Sequence, residues 1–346
     1  MRSPRPDQPA DDRSPKSTLG HVAKRAGVSP STVSRILNGT AKVSAAKQAA
    51  VEEAIAALNF RPNPAARSLA GGKTMSVGVL TQFIDSPFYG EALRGIEDVL
   101  RDNHYVPLFV SGHWKVNEEE ERLTLLQERK VDGIIVLTGK LSDEVLANMA
   151  GQLPVVVTGR HLHSPNTHGI VFDDFRGAKL AVRHLIGLGH QRIAFISGPL
   201  DHFDAAQRLE GYKDELHSQG LAFDPDLVIE SDFQESGGYQ AMNTLLASRT
   251  SFSGVFAAND QMAYGARLAL SRAGFRVPED ISLVGFDDLP HSAFTLPPLT
   301  SVRQQVYEIG AMAANAMMAL IRGEPISPSL VEAELVVRES TRRALR

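Results

Sequence analysis

Two rhythms of apolar residues divide the chain. Near the start they recur at helical spacing: Leu19, Val22, Ala23 and Ala26 stand at i, i+3, i+4 and i+7, one face of a short helix. Thr18 is placed to cap this helix and Gly27 to end it in a tight turn. Ser29-Pro30 restarts a helix, the serine as cap and the proline in a first turn where its missing N–H costs nothing. Val33, Ile36 and Leu37 form the inner face of that second helix, and Asn38-Gly39 closes it. "SAAKQAAVEEAIAALN" predicts a third helix with Val51, Ile55 and Leu58 inward. Two short helices joined by a glycine turn, with a third in support, make a helix-turn-helix.

From Met75 the rhythm changes. Short apolar runs ("SVGVL", "VPLFV", "GIIVL", "PVVVTG", "GIVF", "RIAFIS", "LVIES", "GVFAA" and "ISLVGF") alternate with amphipathic stretches such as "YGEALRGIEDVLRDN" and "YQAMNTLLAS". This order predicts parallel sheets covered on both faces, and the runs are too many for one comfortable open sheet. The expected fold class is an all-α helix-turn-helix head followed by an α/β body of two doubly wound parallel-sheet lobes. Between them, "RPNPAARSLAGGK" predicts a helix opened by Asn63-Pro64 and ended by Gly71-Gly72. At about two turns it is too short to persist alone in water. It reads either as a kinked linker or as a hinge that orders only against DNA and a partner subunit. In the second case Ala65 and Ala66 let two copies pack closely, and Leu69 wedges into the minor groove. The Met-rich "AMAANAMMALIRG" reads as core or subunit packing rather than a cofactor site.

Charge sharpens the division. Residues 1–73 carry 12 Lys/Arg against 5 Asp/Glu, a balance of +7, whereas the rest carries 24 against 35, a balance of –11. A basic head on an acidic body points to a polyanion as the head's partner, although a solvated basic arm has the same composition. There is no cysteine, which excludes disulfides and Cys-based zinc or redox sites. No apolar run approaches a membrane span, and residues 1–16 read as a disordered tail without an export signal's apolar core. A cytoplasmic protein is expected. On the second helix the outward residues are Pro30, Ser31, Thr32, Ser34 and Arg35. Small hydroxyls let a helix approach phosphates and base edges, and an arginine can fork onto a guanine.

"HVAKRAGVSPSTVSRILNG" resembles the DNA-binding head of the lac repressor (LacI/GalR) family of bacterial regulators, and the likeness continues through "LNFRPNPAARSLAGGK" to "ELVVRES" near the C-terminus. The resemblance implies a periplasmic-binding-protein-like body whose chain crosses between lobes three times, near Phe172, Gln304 and Leu335. The implied organisation is a head over residues 17–61 and a hinge over 62–74. An N-terminal lobe follows over 75–172 plus 304–334, and a C-terminal lobe over 173–303 plus 335–346. It assigns DNA contacts to Thr18, Leu19, Ser29, Pro30, Ser31, Thr32, Ser34, Arg35 and Asn38, and in the hinge to Asn63, Ala66, Arg67 and Leu69. One departure is Gly20-His21, where the family more often has a larger residue and an aspartate; this is expected to weaken the first helix.

In open α/β sheets ligands bind beyond the carboxyl ends of strands. Asp173, Asp174, Phe233, Asn259, Asp260, Asp287 and Asp288 fall there. Carboxylates and amides can bridge hydroxyls while an aromatic face covers the apolar side of a ring, although Asp174, Asp260 and Asp288 also read as helix caps. By resemblance, Phe88, Arg208, Phe233, Asn259 and Asp287 contact the effector. "DAAQRLEGY" departs from the family's paired arginines, with Ala206 at the first position and only Arg208 kept; Arg160, Arg176 or His202 could substitute. Trp114 could stack on a sugar or simply pack. Glu118 to Glu121 read as acids at a helix N-terminus, and the histidines of "RHLHSPNTH" as solvated loop residues.

The expected function is a repressor of sugar or glycoside utilisation genes. It would work as a homodimer on a pseudo-palindromic operator, released by a small carbohydrate in the interlobe cleft. The alternative is a corepressor-dependent regulator that answers to a nucleoside- or purine-like ligand. A solute-binding protein would need export and no basic head. An enzyme is disfavoured because no G-x-S-x-G, H-E-x-x-H, Walker or G-x-G-x-x-G motif is present. No cofactor or metal is expected.

Overall fold

The computed structural model describes residues 17–37, 43–60, 72–162, 164–326 and 331–344. The chain forms two units, Met1–Thr74 and Met75–Arg346. In the first, α1 (Leu19–Ala26), α2 (Pro30–Leu37) and α3 (Ala45–Ala57) close on a small core of Val22, Ala23, Val33, Val51, Ala54 and Phe60. Thr18 caps α1 by accepting from the His21 backbone N–H, and His21 returns the favour: its ring Nδ1 accepts from the Thr18 N–H at 3.3 Å. The expectation that Gly20-His21 weakens α1 is therefore corrected at His21, which completes a reciprocal capping box. Gly27 ends α1 at φ +63°, a conformation that penalises any Cβ.

The second unit carries two sheets. The five-stranded sheet has the order β2-β1-β3-β4-β5, from β1 (Ser76–Thr81), β2 (Val106–Ser111), β3 (Ile134–Leu137), β4 (Val155–Thr158) and β5 (Thr167–Ile170), all parallel. Between its strands lie α4 (Pro87–Asp102), α5 (Val116–Glu128) and α6 (Asp143–Ala150).

The six-stranded sheet contains β6 (Ile193–Ser197), β7 (Val228–Glu230), β8 (Gly254–Ala257), β9 (Ser282–Asp287), β10 (Thr300–Arg303) and β11 (Glu334–Val336). Its order is β11-β10-β9-β8-β6-β7, with only β11 antiparallel. It is covered by α7 (Asp174–Gly187), α8 (Phe203–Ser218), α9 (Glu235–Ala247) and α10 (Asp260–Arg272). α11 (Val306–Arg322), the Met-rich helix, returns to pack on α4 and the first sheet, burying Ala313, Ala314, Met317 and Met318.

The chain thus passes between sheets three times: after Ile170, between Arg303 and Val306, and between Arg322 and Glu334. Two strands beyond the nine apolar runs appear here. β10, "TSVR", is polar in sequence yet buries Thr300 and Ser301 completely in the sheet. The run "GIVF" straddles a crossing: β5 ends at Ile170, and Phe172 instead bridges Val331.

Candidate functional site

In the head, the Ser29 hydroxyl caps α2 by accepting from the Thr32 N–H, and it lies 2.8 Å from the hydroxyls of both Ser31 and Thr32. Pro30, Ser31 and Arg35 are exposed and Thr32 and Ser34 half-buried, while Val33 is wholly buried; α2 therefore presents one polar face. The Arg35 Nε donates to the Ser31 carbonyl, which holds the guanidinium along that face. Thr18 is exposed and Leu19 half-buried against the core. Asn38, Asn63, Ala66, Arg67 and Leu69 lie outside the described residues.

In the body, the carboxyl ends of both sheets face a cleft of two adjoining hollows that share Phe88, Tyr89, Asp204 and Arg208. Of the side chains singled out from sequence, Phe88, Trp114, Asp174, Arg208, Phe233, Asn259 and Asp287 line it. Phe88 opens α4, Trp114 follows β2 and Phe233 follows β7. Asn259 caps α10 and Asp287 ends β9. Gly198, after β6, gives Phe233 room: a Cβ there would lie 2.1 Å from the ring.

Arg208 is 97% buried and paired within the protein. It donates to Asp174 at 2.8 Å and to the Ala258 carbonyl, and its guanidinium lies 3.9 Å from the Phe286 ring centroid. Burial pushes the Asp174 carboxyl up, and the facing Arg208 opposes that rise. Asp287 is 95% buried, its backbone at φ +105°, and its Oδ1 has no hydrogen-bond partner. Burial holds its carboxyl well above the usual range, with Arg208 pulling the other way.

Four other residues singled out from sequence sit elsewhere. Asp173, not Asp174, caps α7, by accepting from the Arg176 N–H; the buried acid and the cap are the reverse of the expectation. At the start of α10 the same reversal holds: Asn259 is the cap, and Asp260 is wholly buried, accepting from Leu289 N–H and from the Ser292 and Ser301 hydroxyls. Arg160 donates to the Leu141 and Gly139 carbonyls and to Asp143, so it braces a loop rather than lining the cleft. His202 does not line it either, but stacks on Trp114 at 3.9 Å between centroids.

Sequence reasoning also missed Gln82 and Glu119, both fully buried. Glu119 belongs to the run of acids expected at a helix N-terminus. It does sit in the first turn of α5, but its carboxylate accepts from the Lys140 and Leu141 N–H groups. Among the described residues no group of three or more His, Asp or Glu side chains could hold a metal ion, and no helix is long and apolar enough to cross a membrane.

Residues 18–63 match the model for bacterial regulatory proteins of the lacI family, and residues 182–341 match a periplasmic binding protein-like domain. The repressor PurR of Pasteurella multocida is 34% identical over 333 residues, covering 95% of this chain and all of PurR. The chain belongs to the lacI family. The Escherichia coli regulator GalR is 36% identical over 323 residues, 91% of this chain and 94% of GalR. The lac repressor dimer bound to operator and the anti-inducer ONPF superposes with a TM-score of 0.85 at 30% identity, over 95% of this chain and all of the repressor chain. This lacI-family protein is accordingly a ligand-responsive, DNA-binding transcriptional repressor.

Proposed function

We propose that the cleft takes an uncharged, ring-shaped effector that donates more hydrogen bonds than it accepts, of the nucleoside or purine-base kind, and that its occupancy governs operator affinity. The supporting observation is an imbalance of partners in the cleft wall. Arg208 is the one Lys or Arg among the described residues lining it, and its donors go to Asp174 and Ala258. Asn259 donates to the Phe233 carbonyl, Gln261 to Glu235, and Ser86 to Gln261. The acceptors are in surplus: Asp204, Asp232 and the partnerless Asp287 oxygen face the same space.

A phosphate or carboxylate entering there would meet the Asp204 and Asp232 carboxylates, with the one cation of the wall already paired to Asp174. A nucleoside satisfies both halves of the wall. Its hydroxyls and N–H groups meet the carboxylates, and its base meets a hollow lined by Phe83, Phe88, Tyr89, Trp114 and Phe233. That is more aromatic face than one sugar ring covers. The carboxylate surplus on its own fits the hydroxyls of a plain sugar equally well, which makes the sugar the second reading; the aromatic lining is what favours a base.

Thermal-shift measurements on the full-length protein with nucleosides, bases, their 5′-phosphates and free sugars test this. A ligand that binds only the folded chain stabilises it by about 2.7 kcal/mol at a hundredfold excess over Kd. The expected result is an upward shift with unphosphorylated nucleosides or bases that is lost in Asp287→Asn. Shifts with sugars alone select the second reading, and binding of the phosphates contradicts the charge argument.

The same reading places the operator contact on the polar face of α2, and pairs two chains through the loop carrying Phe294 and Leu296, which are 87% and 88% exposed. Sedimentation of Phe294→Ser/Leu296→Ser against the parent chain tests the pairing; equal dimer content in both contradicts it.

A further inference from the structure

Asp201 and His202, adjacent in the loop before α8, both reach the other lobe. The Asp201 carboxylate pairs with Lys140 Nζ at 2.7 Å, in the loop after β3, and the His202 ring stacks on Trp114, in the loop after β2. The two contacts grade from surface to interior: Asp201 is 62% exposed, whereas His202 is 94% buried and also faces Phe233 at 6.1 Å.

The receiving surface is rigid. Gln82 accepts from the Trp114 N–H at 2.6 Å and donates to the Thr138 carbonyl, which ties the two receiving loops to each other. Glu119 accepts from the Lys140 and Leu141 N–H groups, fixing the second loop to α5. Trp114 and its neighbour His113 both hold positive φ, so the indole is presented from a constrained turn.

We infer that Asp201-His202 is a clasp that fastens the two lobes at the edge of the cleft, so that any cleft ligand exchanges only after the stack and the ion pair release. Opening is then a two-state equilibrium whose baseline the clasp sets, and a ligand can shift it only by its differential affinity for the two states. Burial keeps the His202 imidazole neutral against the pull of Asp204, Asp201 and Glu230, and Lys140 adds to the effect of burial. A neutral ring suits a stack on Trp114 whose Nδ1 has no partner.

The chain has no cysteine, so a single thiol reports opening. Thr158 lines the inner hollow and is 7% exposed, and Thr158→Cys is close in size. In the full-length protein, the rate at which a maleimide labels Thr158→Cys measures the open fraction. Adding His202→Ala is expected to raise that rate about tenfold, the range of a lost aromatic pair. Adding Asp201→Asn raises it about two- to fivefold, the range of a lost exposed ion pair. The charge reversal Lys140→Asp/Asp201→Lys is expected to bring the rate back towards the parent. Both ion-pair positions are solvent-accessible, so those variants carry the test even where His202→Ala does not fold. Labelling that stays at the parent rate in Asp201→Asn, or a charge reversal that labels no more slowly than Asp201→Asn alone, overturns the clasp.

Discussion

The head gathers its proposed DNA-reading side chains, Ser31, Thr32, Ser34 and Arg35, on one eight-residue helix, whereas the body assembles its cleft from residues as far apart as Phe88 and Asp287. The head's geometry follows from local rules: a cap, a left-handed glycine, a proline in the first turn, one apolar stripe. The cleft exists only once two sheets are ordered and their strand ends converge. The two regions should therefore fail differently. Damage to the head should cost tenths to a few kcal/mol of local stability or DNA contact, and damage to the cleft's buried charges should destabilise the whole body.

The largest effect is expected at Arg208. Arg208→Ala leaves Asp174 as an unpaired buried carboxylate, which costs about 3–5 kcal/mol. Calorimetry of the full chain should show the body's transition fall sharply with the head's unchanged, and a small shift would break the contrast.

Next is Asp260, whose carboxyl burial lifts from 3.8 to about 7 despite three hydrogen-bond donors. An acid with a raised folded-state pKa holds its proton in the folded chain while the unfolded chain has already released it. It therefore costs stability above pH 7, and the cost fades as the pH falls towards 4. The body should lose stability on the order of 2 kcal/mol between pH 5 and 8 from this group, and Asp260→Asn should flatten that slope in denaturant titrations.

Third, Arg35→Ala should weaken binding to a selected operator by about 1–3 kcal/mol and relax the choice of one base, while leaving melting unaffected. Equal binding by the variant removes α2 from the interface.

The smallest effects separate the two halves of the α1 cap. Thr18→Ala should cost about 1 kcal/mol of head stability. His21→Ala should cost less, and if it costs nothing the ring contributes only geometry.

The same contrast explains what could be read from the sequence. The helices of the head and most strands of the body announce themselves through periodicity, because burial imposes a fixed spacing on each. β10 did not, since its Thr300 and Ser301 are buried for hydrogen bonds to Ser340, Thr341 and Asp260 rather than for apolar packing. Which member of an acidic pair caps a helix and which turns inward was not legible either. Asp173 and Asp174 are chemically alike, and only the position of Arg208 on a distant helix decides between them. Glu119 and Gln82 escaped for a similar reason: each supports loops that meet it only in three dimensions.

The most direct test of the account is reciprocal linkage between cleft and operator. A compound that raises the melting point of the full chain, and does so no longer in Asp287→Asn, is titrated in the presence and absence of a selected pseudo-palindromic operator, and operator affinity is measured with and without that compound. The account predicts that the two affinities change by one common factor. A compound that fills the cleft and leaves operator affinity where it was would contradict it.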